Sequence, residues 1–237
     1  AAAMGVNNVL CLTGDDVSQD GLSVEALAPL ADLSHEIDIV VGLKECSEAE
    51  ACCYNSVFYF SHGLLIYRHR KLFLLDYGVW NEGQHLSPGG ALQAVDTPGG
   101  RLAVLICNDV WHPPAPYLAA LDGAEILLVP ANSARGALSG NLDITATWEQ
   151  MNRANAAMLG FYVVFVNRAG LMAGAPGGHR YWGGSEIVGP DGQIVVKAPY
   201  DDEALVIGAI DLAVVAKQRR QAPLIRDTRP HFFQLAF

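Results

Sequence analysis

A cysteine, a lysine and a glutamate in this chain stand where apolar runs break off into polar residues. Cys107 lies in Leu105–Ile106–Cys107–Asn108–Asp109–Val110–Trp111–His112–Pro113, a hydrophobic stretch that stops in polar residues and a proline turn. In α/β folds ligands bind at the carboxyl ends of strands, so substrate can reach a thiol there while the strand holds it rigid. The backbone N–H of Asn108 would point outward at the same place and could stabilise an oxyanion formed by thiolate attack. A cysteine ending a buried strand serves equally well as a small apolar filler, and this string alone leaves both readings open.

Lys71 closes the segment Leu64–Arg70. Side chains alternate along a strand, so Lys71 and His69 share one face while Arg68 and Arg70 share the other. A lysine beside a cysteine lowers the thiol pKa and polarises a carbonyl; taken alone, a solvated strand-end lysine is the commoner case. Glu82 sits in Asp76–Tyr77–Gly78–Val79–Trp80–Asn81–Glu82–Gly83. A carboxylate in such an aromatic, Gly-bracketed loop suits acid/base work or the orientation of a lysine, whereas an isolated loop glutamate is ordinarily a surface acid.

The elements that must position these residues follow from hydrophobic periodicity. Leu22–Glu36 is expected as a helix, with Leu22, Ala26, Leu30 and Leu33 on one face. Ile37–Leu43 is expected as a strand covered on both sides. Tyr54–Phe60 and Leu64–Arg70 flank Ser61–His62–Gly63 and read as a hairpin. Trp80–Gly100 is expected as loop, Leu102–Cys107 and Ile126–Ala131 as buried strands, and Pro114–Leu121 as a short helix with Pro near its start. Asp143–Leu159 is the longest helix, with Asp143 or Asn141 as N-cap and Gly160 as stop. Tyr162–Asn167 is a strand, Ser185–Val188 and Gln193–Lys197 pair around Pro190–Asp191–Gly192, and Ala204–Ile210 is the last strand, followed by a helix from Asp211. Helices alternate with strands, but two tight hairpins interrupt the alternation, which predicts an α/β fold with mixed sheets.

The 237 residues suit one domain, and no shift in composition divides them. Ala1–Ala2–Ala3–Met4–Gly5 reads as a cloning remnant or a truncated beginning, with residues 1–8 outside the fold. A net charge of −10 argues against nucleic-acid and anionic-membrane partners, and the longest apolar runs are too short to span a bilayer. Five irregularly spaced cysteines without C-x-x-C suggest neither a disulfide framework nor a zinc site, so Cys46, Cys52 and Cys53 are expected as bystanders in a reducing cytoplasm. Gly183–Gly184–Ser185 lacks the closing glycine of a serine nucleophile elbow. Neither a dinucleotide nor a phosphate-loop glycine motif is present, and no paired-histidine metal spacing accompanies His112.

Taken together and in order, Tyr67–Arg68–His69–Arg70–Lys71–Leu72–Phe73–Leu74, the Glu82 loop and the Cys107 string resemble the nitrilase, or carbon–nitrogen hydrolase, superfamily. The likeness continues through Val129–Pro130–Ala131–Asn132–Ser133, Val166–Asn167–Arg168–Ala169–Gly170 and Trp182–Gly183–Gly184–Ser185, leaning toward the amidase and glutaminase-like branch. The resemblance implies a four-layer α-β-β-α sandwich, assembled as a dimer or larger homo-oligomer. It implies that Cys107 attacks the carbonyl of a small-molecule amide to form a thioester. Lys71 and the Asn108 N–H would hold the oxyanion, and Glu82 would position Lys71 and assist proton transfer. Asn132, Ser133, Trp182 and Ser185 would lie near the substrate, with no metal or organic cofactor required.

The family carries a further glutamate before a segment like Leu10–Cys11–Leu12–Thr13–Gly14, and here Val9 stands in its place. The family's opening strand and helix are missing ahead of it. Loss of one positioned acid/base typically costs roughly a hundredfold to ten-thousandfold in rate. The alternative reading is therefore a catalytically silent homologue kept as a binding or assembly scaffold, with Glu45 as a weak substitute for the lost base.

Overall fold

The structure, a computed structural model, describes residues 9–12, 27–47, 49–137, 142–171 and 180–228. Among these residues one sheet runs β1 (Val9–Leu12), β2 (Asp38–Ser47), β3 (Cys52–Ser61), β4 (Leu64–Arg70) in spatial order. β1 lies parallel to β2, and the other pairs are antiparallel. The β3–β4 turn places both His62 and Gly63 at positive φ, +51° and +80°, as a two-residue hairpin matched to strand twist demands. A Cβ on Gly63 would stand 2.3 Å from the exposed His35 imidazole, which can swing aside, so it is the φ of +80° that calls for glycine.

The second sheet contains β5 (Val95–Thr97), β6 (Gly100–Val104), β7 (Ile126–Ala131), β9 (Tyr162–Asn167), β12 (Glu186–Val188) and β13 (Ile194–Lys197), in the order β13-β12-β9-β7-β6-β5. Its centre, β6-β7-β9, is parallel, and its flanks are antiparallel. A small sheet of β8 (Ala134–Arg135), β10 (Ala169–Leu171) and β11 (Arg180–Trp182) lies beyond the ends of β7 and β9.

Alternation along the strands decides the layers. Val40, Val57 and Tyr59 of the first sheet pack on Leu102, Val104, Ile126 and Leu128 of the second, joined by Ile106 just beyond β6, so these faces meet. The opposite parity of the second sheet, Ala103, Leu127, Val129, Val163 and Phe165, packs on α2 (Pro114–Leu121) and α3 (Ile144–Leu159). Outside the first sheet, Ile39, Phe58 and Phe60 pack on Leu27 and on Leu30 and Ala31 of α1 (Ala28–Leu33). Helices thus flank two facing sheets, the expected α/β architecture. α3 begins as its sequence dictates: the Asp143 carboxylate accepts from the N–H groups of Thr145 and Ala146, and Gly160 ends it in the left-handed region. α4 (Leu212–Gln221) starts on Asp211, whose carboxylate accepts from Ala213 N–H.

Several expectations are corrected. The first helix ends at Leu33 rather than Glu36, and residues 22–26 and Asn141 lie outside the described residues. The stretch 80–100 contains β5 and a 3-10 turn, Glu82–Gln84. Residues 204–210 form no strand: they have no ladder partner among the described residues, and Leu205 and Ile207 are 77% and 82% exposed. Cys46 and Cys53 are joined in a disulfide. They stand directly opposite on β2 and β3, a proximity created by sheet register that sequence spacing does not reveal. The argument for a reducing compartment from unpaired cysteines is lost with it. No helix among the described residues is long and apolar enough to cross a membrane.

Candidate active site

The parallel strands β6, β7 and β9 release their carboxyl ends toward the same edge as the end of β4, and the predicted residues gather there. Lys71 follows β4 directly. Its N–H still bonds to Asn55 O of β3 at 2.8 Å, and its carbonyl accepts from Gly89 N–H, so its backbone is fixed from both sides. The side chain is 1% exposed. Its ammonium donates to both carboxylate oxygens of Glu82, at 2.7 and 2.6 Å. Glu82, also buried, accepts in addition from Leu75 N–H at 2.6 Å, while its own N–H donates to Leu75 O. The loop between Lys71 and Glu82 is thereby closed on itself, and the ammonium is oriented with two of its protons committed.

Cys107 does not end a strand. β6 stops at Val104, and Cys107 opens a 3-10 turn, Cys107–Trp111, with φ at +46°. A non-glycine residue in that region costs about 1–2 kcal/mol, and something must hold it. Asp109, 0% exposed, supplies the clamp. Its carboxylate accepts from Ile106 N–H at 2.9 Å, ahead of the cysteine, and from Leu72 and Phe73 N–H at 3.0 and 2.8 Å, just after the lysine. His69 Nε2 lies 3.4 Å from the same carboxylate. One buried side chain thus ties the backbone around Cys107 to the backbone around Lys71. The loop that Asp109 serves is the one bearing Lys71.

Asn108 adds a second tie. Its side-chain amide donates to Phe73 O and Leu74 O, and its carbonyl oxygen accepts from the Tyr77 hydroxyl at 2.8 Å. Burial, together with the charges of Cys107 and Glu82, pushes the Tyr77 phenol above its ordinary pKa against the opposing pull of Lys71. The four groups therefore share one electrostatic neighbourhood. Sequence reasoning passed over Tyr77; the signal was an aromatic residue between two chemically suggestive ones in the same loop.

Strand parity sorts the remaining residues. Ser133 turns toward the helices, where its hydroxyl accepts from the indoles of Trp148 and Trp182 at 3.0 and 3.1 Å. Trp182 itself packs on Phe165 in the core. The Ser185 hydroxyl bonds to the backbone N–H and carbonyl of Asn167. These three support the site from behind through groups already engaged. Asn132 is 4% exposed, yet neither its side-chain nitrogen nor its oxygen has a partner among the described residues.

Two positions, 45 and 9, bear on the base. Glu45 lies on the outer parity of β2, with Val41 and Leu43, opposite to the face of Lys71. It bonds to Ser56, Arg68 and Arg70. Burial works to raise its pKa, but the Arg70 and Ser56 hydrogen bonds and the two arginine charges outweigh it and hold the carboxyl below its ordinary value. It is a structural anion, turned away from Cys107. Val9 pairs with Asp38, whereas Lys71 bonds to Asn55, which pairs with Lys44. From Asp38 to Lys44 is six residues, about 20 Å along the sheet at 3.3 Å per residue. Among the described residues no cluster of three or more His, Cys, Asp or Glu side chains could hold a metal ion.

Comparison with known proteins agrees with this geometry. The profile of the carbon-nitrogen hydrolase family matches residues 12–220. The chain is 27% identical over 215 residues to N-carbamoylputrescine amidase of Arabidopsis thaliana, covering 88% of this chain and 72% of that protein. It is 30% identical over 189 residues to Omega-amidase NIT2-B of Xenopus laevis, covering 76% and 64% respectively. A crystal structure of a carbon-nitrogen hydrolase from Helicobacter pylori superposes with a TM-score of 0.81 at 28% identity, covering 89% of this chain and 75% of that one. With a family profile spanning most of its length, and the lysine, glutamate and cysteine strings in that family's order, this chain belongs to the carbon–nitrogen hydrolase family, the nitrilase superfamily.

Proposed function

We propose that this chain hydrolyses the carbon–nitrogen bond of a small non-peptide amide through a thioester on Cys107. The observation that carries the reading is the buried Lys71 ammonium, fixed by Glu82 and tied through Asp109 to the strained turn that presents the thiol. A buried cation of this kind favours the thiolate over the thiol, whose ordinary pKa is about 8.5. The sulfur attacks the amide carbon, and the carbonyl electrons move onto oxygen. Lys71 and the Asn108 N–H at the start of the 3-10 turn stabilise that oxyanion. Glu82, joined to Lys71, is the acceptor through which the thiol proton reaches the leaving nitrogen. The carbon–nitrogen bond then breaks, ammonia or an amine departs, and water attacks the thioester to release the acid and restore the thiol. Asn132 faces the substrate, while Ser133, Trp182 and Ser185 keep its surroundings in shape. No cofactor enters these steps. The partners are a small amide and further copies of this chain.

The test is ammonia release from a panel of short aliphatic amides, ω-amides of dicarboxylic acids, carbamoyl amines and glutamine. Turnover of at least one by the wild type, abolished in Cys107→Ala and Lys71→Met, is expected. A second reading, a silent homologue acting as a scaffold, is favoured by Val9 in the place of the family's glutamate. It predicts binding of amides without ammonia release.

A further inference from the structure

The Tyr77 side chain is 49% exposed, yet its hydroxyl reaches inward. It donates at 2.8 Å to the side-chain oxygen of the buried Asn108. Among the described residues no other group bonds to that oxygen. The amide nitrogen at the other end donates to Phe73 O and Leu74 O at 3.2 and 3.4 Å. Those two contacts are long and the phenol's is short, so Tyr77 sets which way the carboxamide faces. All three anchors lie between Lys71 and Glu82, whereas Asn108 directly follows Cys107 in the 3-10 turn. Within that turn Asp109 N–H is engaged by Ile106 O at 3.0 Å. The Asn108 N–H precedes it, and the first N–H groups of a helical turn have no acceptor inside the turn. The left-handed Cys107 backbone fixes this N–H from one side, and the anchored Asn108 side chain fixes it from the other.

Resting on the proposed function above, we infer that Tyr77 is a positioning residue for the oxyanion: its hydroxyl holds the Asn108 carboxamide, and through it the Asn108 N–H, aimed at the oxygen of the group bound to Cys107. The phenol itself touches neither the sulfur nor that group. Without the hydroxyl the Asn108 oxygen is left unpaired in the interior, which is costly enough for the side chain to turn toward another donor and take its peptide with it. The thiol, whose ionisation Lys71 supports, keeps its reactivity.

The test requires no turnover and sets two reagents against each other. With butyraldehyde the sulfur bonds to the carbonyl carbon, the carbonyl pair moves onto oxygen and the thiol proton ends there, reversibly; that oxygen lies where the amide oxygen would. With iodoacetamide the sulfur displaces iodide, the thiol proton passes to solvent and no oxyanion forms. Iodoacetamide labelling of Cys107 is followed by peptide mass spectrometry across a butyraldehyde series, with the free Cys52 of the same molecule as reference. In the wild type the aldehyde should protect Cys107 at lower concentration than Cys52. Tyr77→Phe should raise the half-protecting concentration at Cys107 about tenfold, the worth of one hydrogen bond, while the labelling rate without aldehyde stays within about twofold. Asn108→Ala should also weaken protection, and Tyr77→Phe/Asn108→Ala should be no weaker than Asn108→Ala alone, because Tyr77 acts only through Asn108. Unchanged protection in Tyr77→Phe, or an equal fall in its labelling rate without aldehyde, overturns the role of Tyr77. A further tenfold loss in the double variant overturns it as well, since the phenol would then touch the adduct directly. Wild-type Cys107 protected no better than Cys52 instead overturns the oxyanion site of the proposed function, and the inference with it.

Discussion

Glu82→Gln should destabilise the fold by about 3 kcal/mol at neutral pH, and the deficit should shrink as the pH rises. Lys71 is almost wholly enclosed, and two hydrogen bonds to Glu82 neutralise its charge. Gln is nearly isosteric and preserves an acceptor for Leu75 N–H, so packing changes little and the perturbation is the lost charge. Breaking one partner of a buried pair typically costs about 3–5 kcal/mol, because the other charge stays desolvated. The lower end applies here, since Gln still accepts one hydrogen bond. The stranded lysine can escape the penalty only by losing its proton, and burial without a counter-charge depresses a lysine pKa by up to about 3–5 units. A base whose folded pKa lies below its unfolded value gains stability for the fold as pH rises through the folded pKa, up to the unfolded value near about 10.4. Urea unfolding of wild type and Glu82→Gln at intervals from pH 7 to 10 measures this directly. The gap in midpoint should be widest at pH 7 and should narrow toward pH 10. Lys71→Met/Glu82→Leu should recover much of the loss, because an apolar pair replaces an ionic one at similar volume. A gap under about 1 kcal/mol at pH 7, or one independent of pH, would refute the claim that Glu82 neutralises a buried charge.

Other consequences are sharper in one dimension each. Asp109→Ala strands three backbone N–H groups at about 1–3 kcal/mol per unpaired group; a net loss of about 3 kcal/mol in urea unfolding is expected, with slower alkylation of Cys107 as its turn relaxes. Glu45 is held below its ordinary value of 4.5, so its contribution is complete above that value and disappears as pH falls through the lower folded pKa. Glu45→Gln should accordingly be about 2 kcal/mol less stable than wild type at pH 7 and should converge with it in acid, as followed by circular dichroism. Val9→Glu should leave amide turnover within about twofold, since the register sets position 9 far along the sheet from Lys71; a gain on the order of a hundredfold, the usual worth of a positioned acid/base, would show that this position reaches the site.

The strands and the longest helix were legible because their signals are local. α3 carries its own cap and stop at Asp143 and Gly160, and the β3–β4 turn carries its own glycine. Ala204–Ile210 reads as a strand by composition, but a strand exists only with a partner, and that is not a local property. The Cys46–Cys53 bond has the same origin, since it follows from sheet register. At the site, Lys71, Glu82 and Cys107 were identified by residue type and by motifs recurring in order. The left-handed backbone at Cys107 had no sequence signature, because glycine, its usual mark, is absent. Which two segments Asp109 joins depends on strands far apart in sequence. Ser133 and Trp182 were chosen as substrate neighbours, and only strand parity reveals that they bond to each other behind the sheet.

The central claim, that Cys107 is the nucleophile of an amide hydrolase, is tested most directly by intact-protein and peptide mass spectrometry after rapid acid quench with simple amides and glutamine. The account predicts an acyl group in thioester linkage on Cys107, formed more slowly in Glu82→Gln and absent in Cys107→Ala. No adduct on Cys107 with any amide, together with iodoacetamide labelling of Cys107 no faster than that of Cys52, would contradict it and leave the silent scaffold as the better description.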